Sequence, residues 1–261
     1  MMPVQESSQE KIKISLIGFG QMGQAIERLS KNDPRVDVHF VADESNNRDG
    51  EALQTDIFKS SDVAIDFSHP SVVLKHIEFA LDAGVPLVVG TTGWNDKIDT
   101  ISTKTHKVEG KVVYGSNFSL GVQLFIKLAQ KAGELFKDDE FFDVTLHETH
   151  HIRKADAPSG TAITLAENVL KGQNSDKEIT YGIPENHPID TDNFYVTSQR
   201  RGSVFGEHSI DITSLYDNIQ IKHEARSRDG FAAGALKTAV WLTKQKPGFY
   251  LIEDIVEDIL G

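Results

Sequence analysis

The sequence predicts an α/β fold: a doubly wound parallel sheet carrying an inserted α+β domain on a mixed or antiparallel sheet. Three observations predict it. Short aliphatic runs alternate with helical stretches through residues 12–118. A Gly-x-Gly-x-x-Gly turn lies between the first strand and the first helix. After residue 190, strands follow one another without helices, and helical periodicity returns only near the C-terminus.

Composition sets the outer limits. The chain has 261 residues, enough for one large domain or two modest ones. A net charge of −12 argues against a nucleic-acid partner, and an anionic ligand would need a local basic pocket. There are no cysteines, so disulfides, Cys-ligated zinc and thiol nucleophiles are excluded, as suits a reducing cytoplasm. Residues 1–10 are polar and acidic and read as a loose tail, without the basic and apolar pattern of a signal peptide. No apolar run approaches the roughly 20 residues of a membrane span, so no membrane partner is expected.

Ile12–Ile17 is a short β-branched and aliphatic run, hence a strand. Gly18-Phe19-Gly20-Gln21-Met22-Gly23 follows, then Ala25, Ile26 and Leu29 at helical spacing. Gly18 allows the tight turn, Gly20 lets a pyrophosphate approach the backbone, and Gly23 lets helix and strand pack closely. The helix N-terminus then faces the phosphates. The second strand, Val36–Ala42, ends at Asp43, twenty residues past Gly23, where a carboxylate can bind ribose hydroxyls. Asp43 and Glu44 would repel the extra phosphate of NADP, and Arg48 is near enough to counter them. The reading leans to NADH and leaves NADPH open.

Val63–Phe67 is the third strand, running into Ser68-His69-Pro70 and a helix over 71–83 that Gly84 ends. Leu87–Val89 leads into Gly90-Thr91-Thr92-Gly93, and Val112–Tyr114 into Gly115-Ser116-Asn117-Phe118. This is a Rossmann-like arrangement, in which ligands sit beyond the carboxyl ends of the strands. Asp66, Ser68 and His69 fall there too, although capping and turn formation explain them equally well.

Residues 121–136 carry Val122, Phe125, Ile126, Ala129, Ala132 and Phe136 at helical spacing. After the charged break at 137–140, Phe142, Val144 and Leu146 alternate with polar residues, as in a strand. That register bears on His147-Glu148-Thr149-His150-His151, which matches the zinc-protease pattern His-Glu-x-x-His. Zinc chemistry needs both histidines on one face of a helix; four residues apart on a strand they lie about 13 Å from each other. No metal is expected.

Asp156-Ala157-Pro158-Ser159-Gly160-Thr161 opens the next helix, with Ser159 as N-cap. The N–H groups of Gly160 and Thr161 at its start suit a carboxylate, with Lys154 and His150 or His151 nearby. Residues 171–190 read as a long polar loop, followed by strands over 193–199, 203–213 and 218–225 with antiparallel pairing. Helices over 231–243 and from about Leu251 close the chain. The expected domains are 1–118 (dinucleotide binding), 119–228 (substrate binding) and 229–261 (helices returning to the first domain).

Glu148-x-His150-His151-x-x-Lys154-x-Asp156-Ala157-Pro158-Ser159-Gly160-Thr161-Ala162 resembles the signature of the 4-hydroxy-tetrahydrodipicolinate (dihydrodipicolinate) reductase family. Gly90-Thr91-Thr92-Gly93, Asn117-Phe118-Ser119-x-Gly121-Val122, Gly206-Glu207-His208 and Ser227-Arg228 support the resemblance, which runs from about Ile12 onward. It implies an NAD(P)H-dependent reduction of a cyclic imine dicarboxylate in the diaminopimelate route to lysine, by a homotetramer that assembles through the sheet of the 119–228 domain, making it the oligomerisation domain as well. It implies His150 as proton donor, Lys154 as second catalytic group, and His151 with the Gly160 and Thr161 backbone as substrate contacts. Residues 18–23 (Gly18, Phe19, Gly20, Gln21, Met22, Gly23), Asp43, Gly90, Thr91, Thr92, Gly115, Ser116, Asn117 and Phe118 resemble the cofactor contacts. Gln21 stands where the family commonly has Arg or Lys, and no Arg directly follows Asp43. Glu148 and Asp156 are either orienting groups or ordinary strand-end and turn acids. Two other readings stand beside this one: a different reductase on the same layout, and a non-enzymatic dinucleotide sensor.

Overall fold

A computed structural model describes residues 10–137, 141–185 and 188–261. The tail expected at 1–10, except Glu10, and the break at 138–140 lie outside them. The chain forms two compact units, one of the residues up to Leu120 with Asp229–Gly261, the other Gly121–Arg228.

The first unit begins β1 (Ile12–Ile17), α1 (Gln21–Ser30) and β2 (Val36–Ala42). The chain then makes a short 3-10 turn at Glu51–Gln54 and a single helical turn, α2 (Asp56–Lys59). β3 (Val63–Asp66), α3 (Val73–Ala83), β4 (Leu87–Val89), α4 (Ile98–Lys107) and β5 (Lys111–Tyr114) follow. Helix α3 starts two residues later than the sequence suggests, because Val72 is not helical, and ends at Gly84 with φ +70. Side chains on one strand serve two cores, as a sheet buried on both faces requires. Ile14, Leu16 and Ile65 pack on one side; Ile17, Ala64 and Val89 pack on the other with Ile77 and Ala80 of α3.

The second unit opens with α5 (Leu120–Leu135), whose first residue belongs to the first unit, and β6 (Asp143–His150). It continues through α6 (Gly160–Gln173), β7 (Glu178–Tyr181), β8 (Asn193–Arg200), β9 (Glu207–Thr213) and β10 (Asn218–Glu224). Strand order is β10-β9-β6-β8-β7. β9 pairs antiparallel with β6 and β10, but β8 pairs parallel with β6 and β7. The sheet is therefore mixed. β9 and β10 pair antiparallel as expected; β8 joins β6 in parallel instead, because the chain leaves β6 through α6 to β7 and comes back to β8 in the same direction. Strand β7 lies within the expected loop, and β9 begins four residues later than predicted, since 203–206 turn rather than extend. Leu146, Val196 and Ile210 of the sheet meet Leu165, Ala166 and Val169 of α6 and Ala129 of α5. A fully buried Leu or Val contributes about 1.5–3 kcal/mol. The two helices touch through glycine: a Cβ at Gly133 would lie 2.1 Å from the Val169 carbonyl oxygen, and one at Gly172 2.1 Å from that of Gln130.

The chain then completes the first unit with α7 (Asp229–Thr243), β11 (Gly248–Leu251) and α8 (Ile252–Leu260). β11 adds to β5 and gives a six-stranded parallel sheet of order β11-β5-β4-β3-β1-β2. Among the described residues no helix is long and apolar enough to cross a membrane.

Candidate active site

The order in which strands are added to the sheet reverses between β1 and β3, the switch point at which open α/β sheets bind ligands. A cleft of about 1000 Å³ opens there, lined by Gly18, Phe19, Gly20, Asp43, Glu44, Arg48, Phe67, Ser68 and His76 among others. Gly18 has φ +90, and a Cβ on it would sit 2.4 Å from the Phe67 carbonyl oxygen. A Cβ on Gly23 would meet the Gly18 oxygen at 2.3 Å. Around Gly20, the residue preceding α1, nothing lies within 4 Å of the Cβ position, so this backbone is open on the cleft side. A tight turn, a close helix and an open edge facing a helix N-terminus fit a dinucleotide pyrophosphate.

Of the other predicted cofactor residues, Gln21 and Met22 form the first turn of α1 and do not line the cleft. Asp43 lines it; hydrogen bonds from the Ser45 hydroxyl and N–H hold its carboxyl below the usual range. Gly90, Thr91 and Thr92 leave the end of β4, and Gly115, Ser116, Asn117 and Phe118 the end of β5. They join the cleft wall through Phe67, whose ring packs edge-on against Phe118 at 5.9 Å and fills the space beside Gly90. Thr91 and Phe118 are buried, and Thr92 and Ser116 are exposed.

In the second unit, β6 alternates sides. Val144 and Leu146 enter the core, and Glu148 and His150 continue on that face as it reaches the N-terminus of α6. His147 points the other way, with Nδ1 2.8 Å from the Thr197 hydroxyl, so the His-Glu-x-x-His pattern is split across the strand. Glu148 is fully buried. It accepts from the Ser159 N–H at 3.1 Å and from Arg200 Nη2 at 3.0 Å. Its other oxygen lies 3.0 Å from His150 Nδ1, off the axis of a straight hydrogen bond, and 3.7 Å from His208 Nε2. Burial alone would raise this carboxyl. The close polar contacts of His150, Ser159, Ser198 and Arg200 outweigh it and hold Glu148 far below the ordinary carboxylate value. Burial, then the charge of His150, pushes His208 down to about 4. The His150 and His208 rings meet edge-on at 5.1 Å.

Glu148, His150 and His208 would pass as a ligand set on distance alone. The Arg200 guanidinium and the Ser159 N–H occupy Oε1 of Glu148, and a guanidinium there opposes a cation. His208 Nε2 meets the Ser159 hydroxyl at 3.2 Å, so that ring too has a partner in the helix cap. The loop after β6 brings in Lys154, whose Nζ pairs with Asp156 at 2.9 Å, and passes through a cis Ala157-Pro158 bond into α6. Ser159 caps α6 by accepting from the Ala162 N–H, so Gly160 and Thr161 form its first turn. His151 is half-buried; desolvation and the charges of Arg153, His150, Arg228 and Lys154 lower its pKa. This cationic neighbourhood, in a chain of net charge −12, suits a small dianion.

The structure thus gathers His150, His151, Lys154, Gly160 and Thr161 around one strand end and one helix start. It adds two groups that the sequence reading did not place. Arg200 comes from the parallel partner of β6, and His208 lies directly opposite Glu148 on β9. The Gly206-Glu207-His208 run pointed to the latter. A Cβ at Gly206 would meet His150 Nε2 at 2.9 Å, so its absence leaves room for the ring.

Models of the two halves of one family match almost end to end: "Dihydrodipicolinate reductase, N-terminus" over residues 12–118 and "Dihydrodipicolinate reductase, C-terminus" over 121–256. The chain belongs to the dihydrodipicolinate reductase family. It is 38% identical to the 4-hydroxy-tetrahydrodipicolinate reductase of Christiangramia forsetii over 248 residues, 95% of this chain and 99% of that one. The enzyme of that name from Campylobacter jejuni subsp. jejuni is 36% identical, over 94% and 99% of the two chains. Among solved structures, the dipicolinate-bound dihydrodipicolinate reductase from Paenisporosarcina sp. TG-14 has the same fold, with a TM-score of 0.76 at 22% identity, covering 94% of this chain and all of that one. As a member of the family the chain is an NAD(P)H-dependent oxidoreductase.

Proposed function

We propose that the chain reduces 4-hydroxy-tetrahydrodipicolinate, by way of dihydrodipicolinate, to tetrahydrodipicolinate, in diaminopimelate and lysine biosynthesis. The observation that carries this reading is His150 set against an ionised, fully buried Glu148, beside Lys154 and the first turn of α6. The relative solved with dipicolinate supports the dicarboxylate class. In the overall balance one hydride and one proton enter and one water leaves. A dinucleotide bound with its pyrophosphate at the glycine loop would supply the hydride from its nicotinamide, beside the Gly90–Gly93 and Gly115–Phe118 turns. His150 supplies the proton to the electron-rich ring, a general-acid contribution of about 10²–10⁴-fold. Glu148 orients the His150 imidazole through Nδ1. Lys154, His151 and the Gly160 and Thr161 N–H groups hold a substrate carboxylate, and the Lys154 charge favours electron density on the ring nitrogen.

Asp43, ionised and next to Glu44, opposes the 2′-phosphate of NADPH, with Arg48 on the same cleft as a counter-charge, and on that balance NADH is the favoured donor. The face of the second sheet bearing His147, Gln199, Ser209, Gln220 and Lys222 is the surface through which four copies assemble, and sedimentation would return a tetramer's mass.

Initial rates of NADH and NADPH oxidation with freshly generated 4-hydroxy-tetrahydrodipicolinate test the reading. Substrate-dependent oxidation with a higher kcat/KM for NADH is expected. No oxidation of either cofactor would overturn the activity, and a higher value for NADPH would overturn the preference.

A further inference from the structure

We propose that Thr91, Asp66, His76 and Asn47 form a buried hydrogen-bonded strut across the floor of the cofactor cleft, which makes His76 and Asn47 positioning residues for the cofactor. The proposal rests on the reading of that cleft as the dinucleotide site.

Asp66 ends β3 at the switch point and is 0% exposed. A carboxylate buried there needs donors, since it accepts only. Its Oδ1 accepts from the Thr91 hydroxyl at 2.6 Å, the Ser68 hydroxyl at 2.7 Å and the Ser68 N–H at 2.9 Å. Its Oδ2 lies 2.8 Å from Nδ1 of His76, on α3. With the proton on Nδ1, Nε2 is left as an acceptor, and Asn47 Nδ2 faces it at 3.4 Å. The Asn47 oxygen accepts from the Ala52 N–H, which fixes the way the amide points. Every link is buried: His76 is 4% exposed, Thr91 5% and Asn47 8%.

An ordinary cap would satisfy N–H groups next door. This chain of contacts instead joins segments far apart in sequence. Thr91 belongs to the turn after β4, and Asn47 to the loop after β2 that carries Asp43 and Arg48. In a doubly wound sheet the strands of the first half hold the adenosine end of a dinucleotide, and those beyond the switch point hold the other nucleotide. The strut therefore sets the separation between the two ends of the cleft. His76 is suited to the middle position because imidazole presents two nitrogens in opposite directions on a rigid ring.

Cutting the strut should loosen cofactor binding and leave the dicarboxylate site untouched. Asn47→Ala removes the link at the loop end, and His76→Gln keeps bulk but loses the two-ended contact. Each is expected to raise the KM and the calorimetric Kd for NADH about tenfold, the scale of one buried hydrogen bond lost. The kcat at saturating NADH and the KM for 4-hydroxy-tetrahydrodipicolinate are expected to stay within about twofold. Because Thr91 and Asn47 are two ends of one device, Thr91→Val combined with Asn47→Ala should cost no more than the larger single change. An unchanged NADH Kd in Asn47→Ala, or additive losses in the double variant, would overturn the proposal. If His76→Gln does not fold, Asn47→Ala at the cleft edge carries the test. Unaltered protein that neither binds nor oxidises NADH would overturn the reading of the cleft, and the strut with it.

Discussion

Replacing Glu148 by Gln isolates the most heavily committed side chain in the second unit. Glu148 is fully buried and faces the Ser159 N–H, Arg200 Nη2 and His150 Nδ1, all within 3.1 Å. A glutamine keeps the shape but has one acceptor oxygen, and its amide nitrogen turns a donor toward Arg200 or His150. The Arg200 side chain, 20% exposed, would lose its counter-charge. Removing one partner of a buried ion pair costs about 3–5 kcal/mol. That is a large share of a typical stability of roughly 5–15 kcal/mol. In native-state hydrogen exchange, the amides of β6 and of the first turn of α6 should lose about a hundred- to a few-thousand-fold of protection, because about 1.4 kcal/mol corresponds to a factor of ten. The kcat should fall as well, since His150 would no longer be held through Nδ1, while the NADH Kd stays unchanged. A protection loss below about fivefold with an unaltered kcat would refute both the charge assignment and the orienting role.

Other outcomes follow from the same geometry. His208 sits at about 4 against an ordinary 6.5, so between those values the unfolded chain binds a proton that the folded chain refuses. Stability should fall as pH drops through that window, by on the order of 3 kcal/mol in full. Glu148, also depressed, extends the loss below 4.5. Urea midpoints measured across the window check this, and His208→Gln should flatten its upper part. Gly172→Ala would place a methyl 2.1 Å from the Gln130 carbonyl oxygen; about 1–3 kcal/mol of destabilisation is expected in thermal melts.

How much was legible in the chain depended on whether the partner lay close in sequence. Val63–Asp66 and Leu87–Val89 are apolar runs bounded by turns, and their burial on both faces follows from composition. β11 was not visible: Gly248–Leu251 is short, and its partner β5 lies far back in the sequence. β7, Glu-Ile-Thr-Tyr at a sheet edge, carries too little apolar patterning to stand out from its polar surroundings. The parallel pairing of β6 with β8 depends on β8 inserting between β6 and β7 after the chain has passed through α6 and β7, and periodicity does not encode that. The Glu148–Thr161 stretch stands out because its polar residues are crowded. Arg200 and His208 reach Glu148 through sheet register, a property of the folded sheet rather than of either segment. Asp66 and Ser68 looked like turn-formers and do act on their local backbone, but the His76 and Asn47 contacts that extend them arise only when α3 packs on the sheet.

The most direct test of the account is a side-by-side measurement of kcat, substrate KM and NADH Kd for His150→Ala and Lys154→Ala. The account predicts that His150→Ala lowers kcat about 10²–10⁴-fold with NADH binding intact. It predicts that Lys154→Ala lowers kcat and also raises the KM for 4-hydroxy-tetrahydrodipicolinate, again without moving the NADH Kd. Small and equal effects from both variants would contradict it.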